Sequence, residues 1–286
     1  MKEITKKHYS HPLVLEEIES FCRGRWIAFH CIDERNRLIL RRYIDGKPLA
    51  ISNKISLFNL IKCAEALNLT VRTVYATANL YQSTCSIKGI YDISKIKRCT
   101  PTWDIDSSLE RWPETLKVAK RIINILDEMG VRESVYIKWS GNGCHIHIHE
   151  NAISKDILSK YHPLDLAYAI VEYVRRRFTA KMGCRLADNV KVENKIDLTR
   201  VFTAPLSLHR KLDVVCVCFR PKDISKFDPQ WIKPMSFRHD FGWKQCSEGE
   251  ADDLALKAYY SVGGYSLKKR KTEPLDKQIM KWMNKY

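Results

Sequence analysis

The segment from residue 102 to residue 139 constrains the fold of this chain most, because it has the pattern of a strand, a helix and a second strand. Residues 102–107 read Thr-Trp-Asp-Ile-Asp-Ser and alternate as a β-strand does. Pro113 suits a first helical turn, apolar residues then recur at helical spacing, and Gly130 is expected to end the helix. A second strand is predicted at residues 134–139. Such a unit places its two strands parallel to each other.

The first of these strands carries two carboxylates, Asp104 and Asp106, which should project from the same face. Two strand positions span about 7 Å. At an effective dielectric of about 20, two negative charges at that separation repel by ~2 kcal/mol. A divalent cation turns this repulsion into a gain, because Mg²⁺ and Mn²⁺ prefer carboxylate oxygens. The pair is therefore a candidate metal site.

The composition favours an intracellular protein. The 286 residues are 45% hydrophobic, enough for one large core or two modest ones. No apolar run approaches the ~18 residues of a membrane helix. We therefore expect a soluble cytoplasmic protein with no membrane partner. The ten cysteines include no Cys-x-x-Cys pair, so we expect reduced thiols, and a structural zinc site has no support from their spacing.

The charge balance predicts a polyanionic partner. Lys and Arg number 49 against 33 Asp and Glu, and the formal net charge is +16. A surplus of this size favours phosphate neutralisation and counterion release on a nucleic acid. A basic surface that is merely solvated is the alternative.

The remaining pattern predicts an α/β chain in three parts. Residues 1–100 form an N-terminal α/β module, residues 101–222 a second module, and residues 223–286 an irregular and helical extension with a basic tail. Other predicted helices are residues 12–21, 55–67, 163–178 and 251–260; other predicted strands are 26–32, 38–44, 71–78, 190–193 and 196–204. Asp45-Gly46 predicts a hairpin turn, and Lys268-Lys269-Arg270-Lys271 precedes a predicted terminal helix.

Three further segments carry side chains suited to phosphates or metals. Residues 140–145 read Ser-Gly-Asn-Gly-Cys-His, a small polar turn whose glycines let a backbone approach a phosphate closely. Residues 195–197 place an isolated acid, Asp197, in what is predicted to be an apolar strand. Residues 207–211 read Ser-Leu-His-Arg-Lys and cluster donors suited to a triphosphate.

These segments, in this order, resemble the signature motifs of the archaeo-eukaryotic primase superfamily over residues 103–211. Asp104-Ile105-Asp106 resembles the first motif, Ser140-Gly141-x-Gly-x-His145 the second, and Ile196-Asp197 the third. Residues 207–211 resemble the Ser-Leu-His-x-Lys segment of primase small catalytic subunits. The resemblance implies an α/β (α+β) catalytic core over residues 1–222, with an RRM-like mixed sheet flanked by helices in the motif-bearing module at residues 101–222.

The resemblance also implies roles for named residues. Asp104, Asp106 and Asp197 would hold two Mg²⁺ or Mn²⁺ ions and carry catalysis. The nucleotide-binding residues would be Ser140, Gly141, Asn142, His145, His209 and Lys211. The implied partners are a single-stranded DNA template, NTP or dNTP substrates and a separate large regulatory subunit.

The chain departs from the pattern of small subunits between the second and third motifs. That interval is short and lacks the spacing of a zinc knuckle, and an arginine common near the second-motif histidine is missing, with Cys144 preceding His145. These departures favour a compact primase-polymerase core. His147 and His149 alternate with His145 and invite a zinc site, but they are expected to be supporting or surface residues.

The sequence thus predicts a DNA primase or primase-polymerase that synthesises or extends primers by two-metal catalysis. Two alternatives stay open. One is a metal-dependent nuclease or phosphoesterase that uses the same acids, and the other is a nucleic-acid-binding, primase-like subunit without catalysis.

Overall fold

A computed structural model describes residues 2–52, 56–84, 86–182 and 190–266. Its described strands form two five-stranded sheets and one short hairpin. The predicted basic run and terminal helix after residue 266 lie outside the described residues. No helix among the described residues is long and apolar enough to cross a membrane.

The first sheet is built mainly from the N-terminal part of the chain, around one long strand. Its strands are β1 (Arg25–Ile32), β2 (Leu38–Arg41), β5 (Thr70–Tyr81), β6 (Ile96–Cys99) and β11 (Val201–Thr203). The order is β11-β5-β1-β2, and β6 pairs with the end of β5 beside β11. The predicted strand 38–44 is divided into β2 and β3 (Tyr43–Ile44), and β3 pairs with β4 (Lys47–Pro48) through the predicted Asp45-Gly46 turn. Both turn residues have positive φ, as a two-residue hairpin requires.

The second sheet has the strand order of an RRM-like fold. Its strands are β7 (Thr102–Asp106), β8 (Val135–Trp139), β9 (Cys144–Ile148), β10 (Lys191–Asn194) and β12 (Val217–Phe219), in the order β10-β7-β9-β8-β12. β7 and β8 are both antiparallel to β9, so they run parallel to each other, as predicted. However, β9 lies between them, and all the described neighbouring pairs in this sheet are antiparallel. The RRM-like arrangement that the resemblance implied is therefore present, but its described strand pairs are antiparallel, which corrects the expectation of a mixed sheet.

The helices are placed as their apolar patterns predict in most cases. They are α1 (Lys2–Tyr9), α2 (Pro12–Cys22), α3 (Leu57–Ala66), α4 (Ile87–Tyr91), α5 (Trp112–Glu128), α6 (Lys155–Leu158), α7 (Pro163–Met182) and α8 (Asp252–Val262). α5 buries Leu116, Ala119 and Ile122 on one face, and it ends before Gly130, which has φ +82°. The short elements α1, α4, α6 and β6 were not predicted. After Pro221 the chain forms short 3₁₀ turns, in keeping with the irregular segment predicted there.

The two faces of the second sheet have different surroundings. Trp103 of β7 lies on the side covered by α7, where its indole Nε1 donates to the Val171 carbonyl at 3.0 Å. On the opposite side, His145 of β9 packs edge-to-face against Phe202 of β11, with ring centroids 5.1 Å apart. This second face therefore meets the first sheet, and polar side chains on it are buried between the two sheets.

One buried apolar cluster includes residues of both sheets. β11 comes from residues 101–222 but lies in the sheet built by the N-terminal residues. The division of the chain at residues 100 and 222 stays a prediction.

Candidate active site

Asp104 and Asp106 lie at the end of β7 and contact the same ammonium group. Asp104 is 3% exposed, whereas the Asp106 side chain is 58% exposed. The Lys195 Nζ lies 2.8 Å from Asp104 Oδ2 and 2.5 Å from Asp106 Oδ2. The two carboxylates therefore project from one face of the strand and converge on one positive charge.

A third carboxylate, Glu193, joins this cluster from the neighbouring strand. β10 pairs with β7 so that Glu193 lies opposite Asp104, and its Oε2 is 2.9 Å from Lys195 Nζ. Burial alone would lower the pKa of Lys195, but its hydrogen bonds to the carboxylates raise that pKa above the ordinary value. Sequence reasoning missed Glu193. The alternation of Lys191, Glu193 and Lys195 indicates that these side chains share one face of a strand. Only the strand register shows that Glu193 lies opposite Asp104.

Asp104 is surrounded by cationic and polar donors. Its Oδ2 accepts from Arg200 Nη2 at 2.9 Å, and its Oδ1 lies 3.2 Å from His145 Nε2. Burial by itself would raise the pKa of this carboxyl, but His145 and Lys195 outweigh burial and hold the pKa well below its usual range. Asp104 is therefore ionised at neutral pH. Arg200 is a second contact that sequence reasoning missed, because it lies far from β7 along the chain.

The glycine turn at residues 140–143 is closely packed between two other parts of the candidate site. Gly141 has φ +131°, and a Cβ built on it would lie 2.7 Å from Cδ2 of His209. On the other side of the turn, a Cβ on Gly143 would clash with the carbonyl oxygen of Ile105. The predicted second motif is thus in contact with both the first motif and His209. Both positions need glycine, because their neighbours leave no room for a side chain.

Two backbone carbonyl groups of this turn accept local hydrogen bonds. Ser140 N donates to the Gly143 carbonyl at 3.0 Å, and Trp139 Nε1 donates to the Gly141 carbonyl at 2.8 Å. Asn142 is exposed at the tip, and Ser140 is half-buried. The turn is therefore shaped by its own backbone and by Trp139 before any ligand binds.

Three alternating histidines, His145 and His147 in β9 and His149 directly after it, are all buried, which corrects the expectation of a surface position for His147 or His149. His147 Nδ1 lies 2.8 Å from Thr102 Oγ1, and its ring stacks on Tyr136 with centroids 4.7 Å apart. His149 Nδ1 accepts from the backbone N–H of Asn151 at 3.1 Å. Burial lowers the pKa of all three imidazoles. They are neutral at neutral pH.

Asp197 is not inside a strand, so that prediction was wrong. It lies in a turn before β11, where its Oδ1 accepts from the backbone N–H groups of Thr199 at 2.7 Å and Arg200 at 2.6 Å. An aspartate carboxylate competes in this way for backbone donors that a strand would use. Arg200 connects the two acids, because its backbone bonds Asp197 while its guanidinium bonds Asp104.

Arg72 stabilises the segment at residues 207–211 through hydrogen bonds to its backbone and to the residues that follow it. This buried guanidinium donates to the carbonyl of His209 at 3.0 Å, to that of Leu212 at 2.7 Å and to Asp213 Oδ1 at 2.6 Å. Tyr9 adds a contact from α1, since its hydroxyl accepts from Leu208 N at 3.2 Å. The backbone of the segment is therefore held in one shape.

His209 presents a defined imidazole. Its Nδ1 accepts from the backbone N–H of Leu212 at 3.0 Å and of Lys211 at 3.3 Å, so the neutral ring carries its proton on Nε2. Burial, together with nearby Arg210 and Arg72, lowers the pKa of His209 to about 4. At neutral pH this side chain is a neutral hydrogen-bond donor beside Gly141. Lys211 is exposed.

The carboxylates of the candidate site fit a divalent cation only in part. Among the described residues, no group of three or more His, Cys, Asp or Glu side chains is arranged to hold one metal ion. Asp104 and Asp106 nevertheless approach the Lys195 ammonium from one side, which shows that both carboxylates can reach one cation. Their all-oxygen chemistry suits Mg²⁺ or Mn²⁺.

Comparison with known proteins supports the fold. No protein-family model matches the sequence, and no curated protein matches it. Among solved structures, the polymerase domain of ligase D from Mycobacterium tuberculosis, in complex with DNA, is similar. The likeness has a TM-score of 0.56 and 12% sequence identity, and it covers 92% of this chain and 90% of that chain. The helices and sheets of this chain are therefore arranged like those of that solved domain over nearly the whole length of both chains.

Proposed function

We propose that this chain is a template-dependent nucleotidyltransferase, a DNA primase or primase-polymerase that makes or extends primers on single-stranded DNA. The observation that carries the proposal is the contact between motifs. The turn at residues 140–143 touches β7 beside the Asp104 and Asp106 pair on one side and His209 on the other. The fold shared with a polymerase domain that was solved with DNA supports it, as does the net charge of +16.

Two Mg²⁺ or Mn²⁺ ions are part of this proposal, with Asp104 and Asp106 as the residues that would hold them. When bound, such ions supply activation of a 3′-hydroxyl and neutralisation of the leaving pyrophosphate. Asp197 stays a predicted third ligand. Its Oδ1 already accepts two backbone hydrogen bonds, so it also shapes the turn that carries Arg200.

The triphosphate would be bound by the residues on the other side of the glycine turn. His209 would donate from Nε2, the exposed Lys211 would add a full positive charge, and Ser140 would add a hydroxyl. Arg200 and Lys195, which contact Asp104, supply further positive charge in the same region. Preorganised donors of this kind stabilise the charge that develops during phosphoryl transfer.

His145 has a different part in this proposal from direct phosphate contact. Its Nε2 points to Asp104 Oδ1 at 3.2 Å, and its ring packs against Phe202. The imidazole therefore orients the Asp104 carboxylate. A phosphate contact by His145 stays a prediction from the resemblance.

The test is the double variant Asp104→Asn/Asp106→Asn, which keeps side-chain size and removes both charges. We expect nucleotide incorporation on a primed single-stranded template with Mn²⁺ to fall by roughly three orders of magnitude. The matched control is Asp156→Asn/Asp253→Asn, which changes two exposed acids on α6 and α8. The control should retain full activity.

The same assay separates the alternatives. Template or primer hydrolysis without nucleotides, abolished by the double variant, would replace the proposal by a metal-dependent nuclease. Incorporation that is undiminished in the double variant would refute the assignment of the acids. A wild-type chain that binds DNA but neither extends nor cleaves it would leave only a binding subunit.

A further inference from the structure

A groove on the N-terminal side of the molecule lies outside the candidate active site. It has a volume of about 590 Å³ and lies between α1, α3 and the start of β5. Pockets of this size accommodate molecules as large as a nucleotide. We call it the α1–α3 groove. The lining residues used below are Lys2, Thr5, Lys6, Tyr9, Phe58 and Lys62.

An exposed aromatic ring lies at this groove. Phe58 is 51% exposed, although it belongs to a helix whose other face buries Leu57, Leu60 and Ile61 in the core. The ammonium group of Lys62 lies 5.5 Å from the centroid of its ring. A phenylalanine that stays half in water beside a concave surface offers a flat face on which a second ring can stack.

The charges around Phe58 favour an anionic occupant. Three lysines line the groove, Lys2 and Lys6 from α1 and Lys62 from α3, against two glutamates. Lys62 is paired with Glu65 at 2.8 Å, and Lys6 is exposed. A protein partner docking through apolar contacts would meet charged side chains here, whereas phosphates would meet Lys2 and Lys6, which line the same groove as Phe58.

The groove also adjoins the predicted phosphate-binding segment. Tyr9 lines the groove, and its hydroxyl contacts Ser207 Oγ at 3.1 Å and Leu208 N at 3.2 Å. Thr5 lines it too and accepts from Arg72, which bonds the His209 carbonyl. One layer of side chains therefore separates the groove from residues 207–209. A ligand bound in the groove would therefore contact the side chains that support the backbone of residues 207–209.

We propose that the α1–α3 groove binds an unpaired stretch of single-stranded nucleic acid, with a base stacked on Phe58 and backbone phosphates at Lys2 and Lys6. Ring stacking and a basic track are the two elements by which proteins hold single strands without reading sequence. The proposal adds to the proposed function a place that holds the strand away from the catalytic acids.

The test is equilibrium binding of a fluorescent oligothymidylate, measured by anisotropy in EDTA without nucleotides. Phe58→Ala and Phe58→Leu should each weaken binding about tenfold, and Phe58→Trp should retain it, because stacking needs a ring. Phe241→Ala is the matched control, since Phe241 is an exposed phenylalanine (42%) elsewhere on the surface. It should bind as the unaltered chain does.

The salt dependence tests the lysines separately. Lys2→Gln/Lys6→Gln should reduce the slope of log K against log salt by about 1.4, at roughly 0.7 for each phosphate contact on a single strand. The control Lys117→Gln/Lys120→Gln removes two exposed lysines from α5 and should leave the slope unchanged. Thermal melting of every variant checks that it is folded.

Three outcomes would overturn the proposal. They are unchanged affinity in both Phe58→Ala and the lysine double variant, retained binding in Phe58→Leu, and equal loss in the control variants. Binding in this assay is measured in EDTA without nucleotides, so it does not depend on catalysis. Failure of the groove is therefore distinguishable from failure of the proposed function, which is read from nucleotide incorporation alone.

Discussion

A buried ion pair connects the two sheets, and its removal gives the most quantitative prediction. Arg25 of β1 is 2% exposed, and its Nη2 donates to Glu150 Oε1 at 2.9 Å. Glu150 follows β9 in the second sheet, and its Oε2 accepts from Thr100 at 2.8 Å. We expect Glu150→Gln to keep the side-chain volume while leaving the Arg25 charge without its anion.

The magnitude follows from the pKa of Glu150. Burial by itself would raise it, but the Arg25 charge outweighs burial and lowers the pKa from 4.5 to about 2. A pKa difference of about 2.5, at 1.36 kcal/mol for each unit, corresponds to about 3 kcal/mol of stability at pH 7. That is consistent with the ~3–5 kcal/mol cost of breaking a buried ion pair.

The pH dependence has a definite sign. Because the folded-state pKa lies below the unfolded-state value, the stabilisation is fully present above about pH 5 and is lost as the pH falls through the folded-state value. We expect a difference in unfolding free energy of about 3 kcal/mol between the unaltered chain and Glu150→Gln at pH 7. It should shrink to about 1.4 kcal/mol at about pH 3 and nearly vanish at about pH 2.

Urea unfolding at about pH 7, 5 and 3 measures this difference, with Glu110→Gln, at an exposed position, as the control. A difference below about 1 kcal/mol at pH 7, or one that does not change with pH, would refute the reasoning. Either result would mean that Arg25 finds other partners or that the ion pair is hydrated.

Three further changes test the candidate site. Gly141→Ala should weaken nucleotide binding in calorimetry and cost about 1–3 kcal/mol in unfolding free energy, because its Cβ would lie 2.7 Å from Cδ2 of His209. The control for this change is Gly130→Ala, whose position has positive φ but open space around it, and it should leave nucleotide binding unchanged. Lys195→Met should tighten Mn²⁺ binding in electron paramagnetic resonance without nucleotide, since the ammonium no longer competes for the two aspartates; unchanged affinity would contradict the metal assignment. Arg72→Met should lower stability by about 2–3 kcal/mol and speed hydrogen exchange at the backbone N–H groups that bond Nδ1 of His209; unchanged exchange would show that the segment holds its own shape.

The elements predicted correctly are those with strong local patterns. The helix from Trp112 and the strands on either side of it were predicted from apolar spacing, Pro113 and Gly130, because an amphipathic helix and an alternating strand have periods readable from neighbours alone. The strand predicted at residues 196–204 failed for a local reason as well. The Asp197 carboxylate takes two backbone donors and forms a turn, so only Val201–Thr203 is a strand.

The candidate site shows a different limit. The motif order in the sequence named Asp104, His145 and His209, and the fold places the turn at residues 140–143 between β7 and His209. The motif order could not identify Glu193 or Arg200 as neighbours of Asp104. The position of Glu193 opposite Asp104 depends on the register between two strands that are 85 or more residues apart in the chain. The contact of Arg200 with Asp104 depends on a turn at a place where the sequence predicted a strand.

By itself the sequence determined the kinds of group available to this protein: paired acids, a glycine turn, histidines and a large basic surplus. Spacing along the chain also determined most helices and strands, because those depend on interactions between near neighbours. Only the tertiary structure decided which charges meet. Lys195 between three carboxylates, His209 against Gly141 and Arg25 against Glu150 are contacts across strands and sheets, and their energies depend on burial and distance, which the order of residues does not specify.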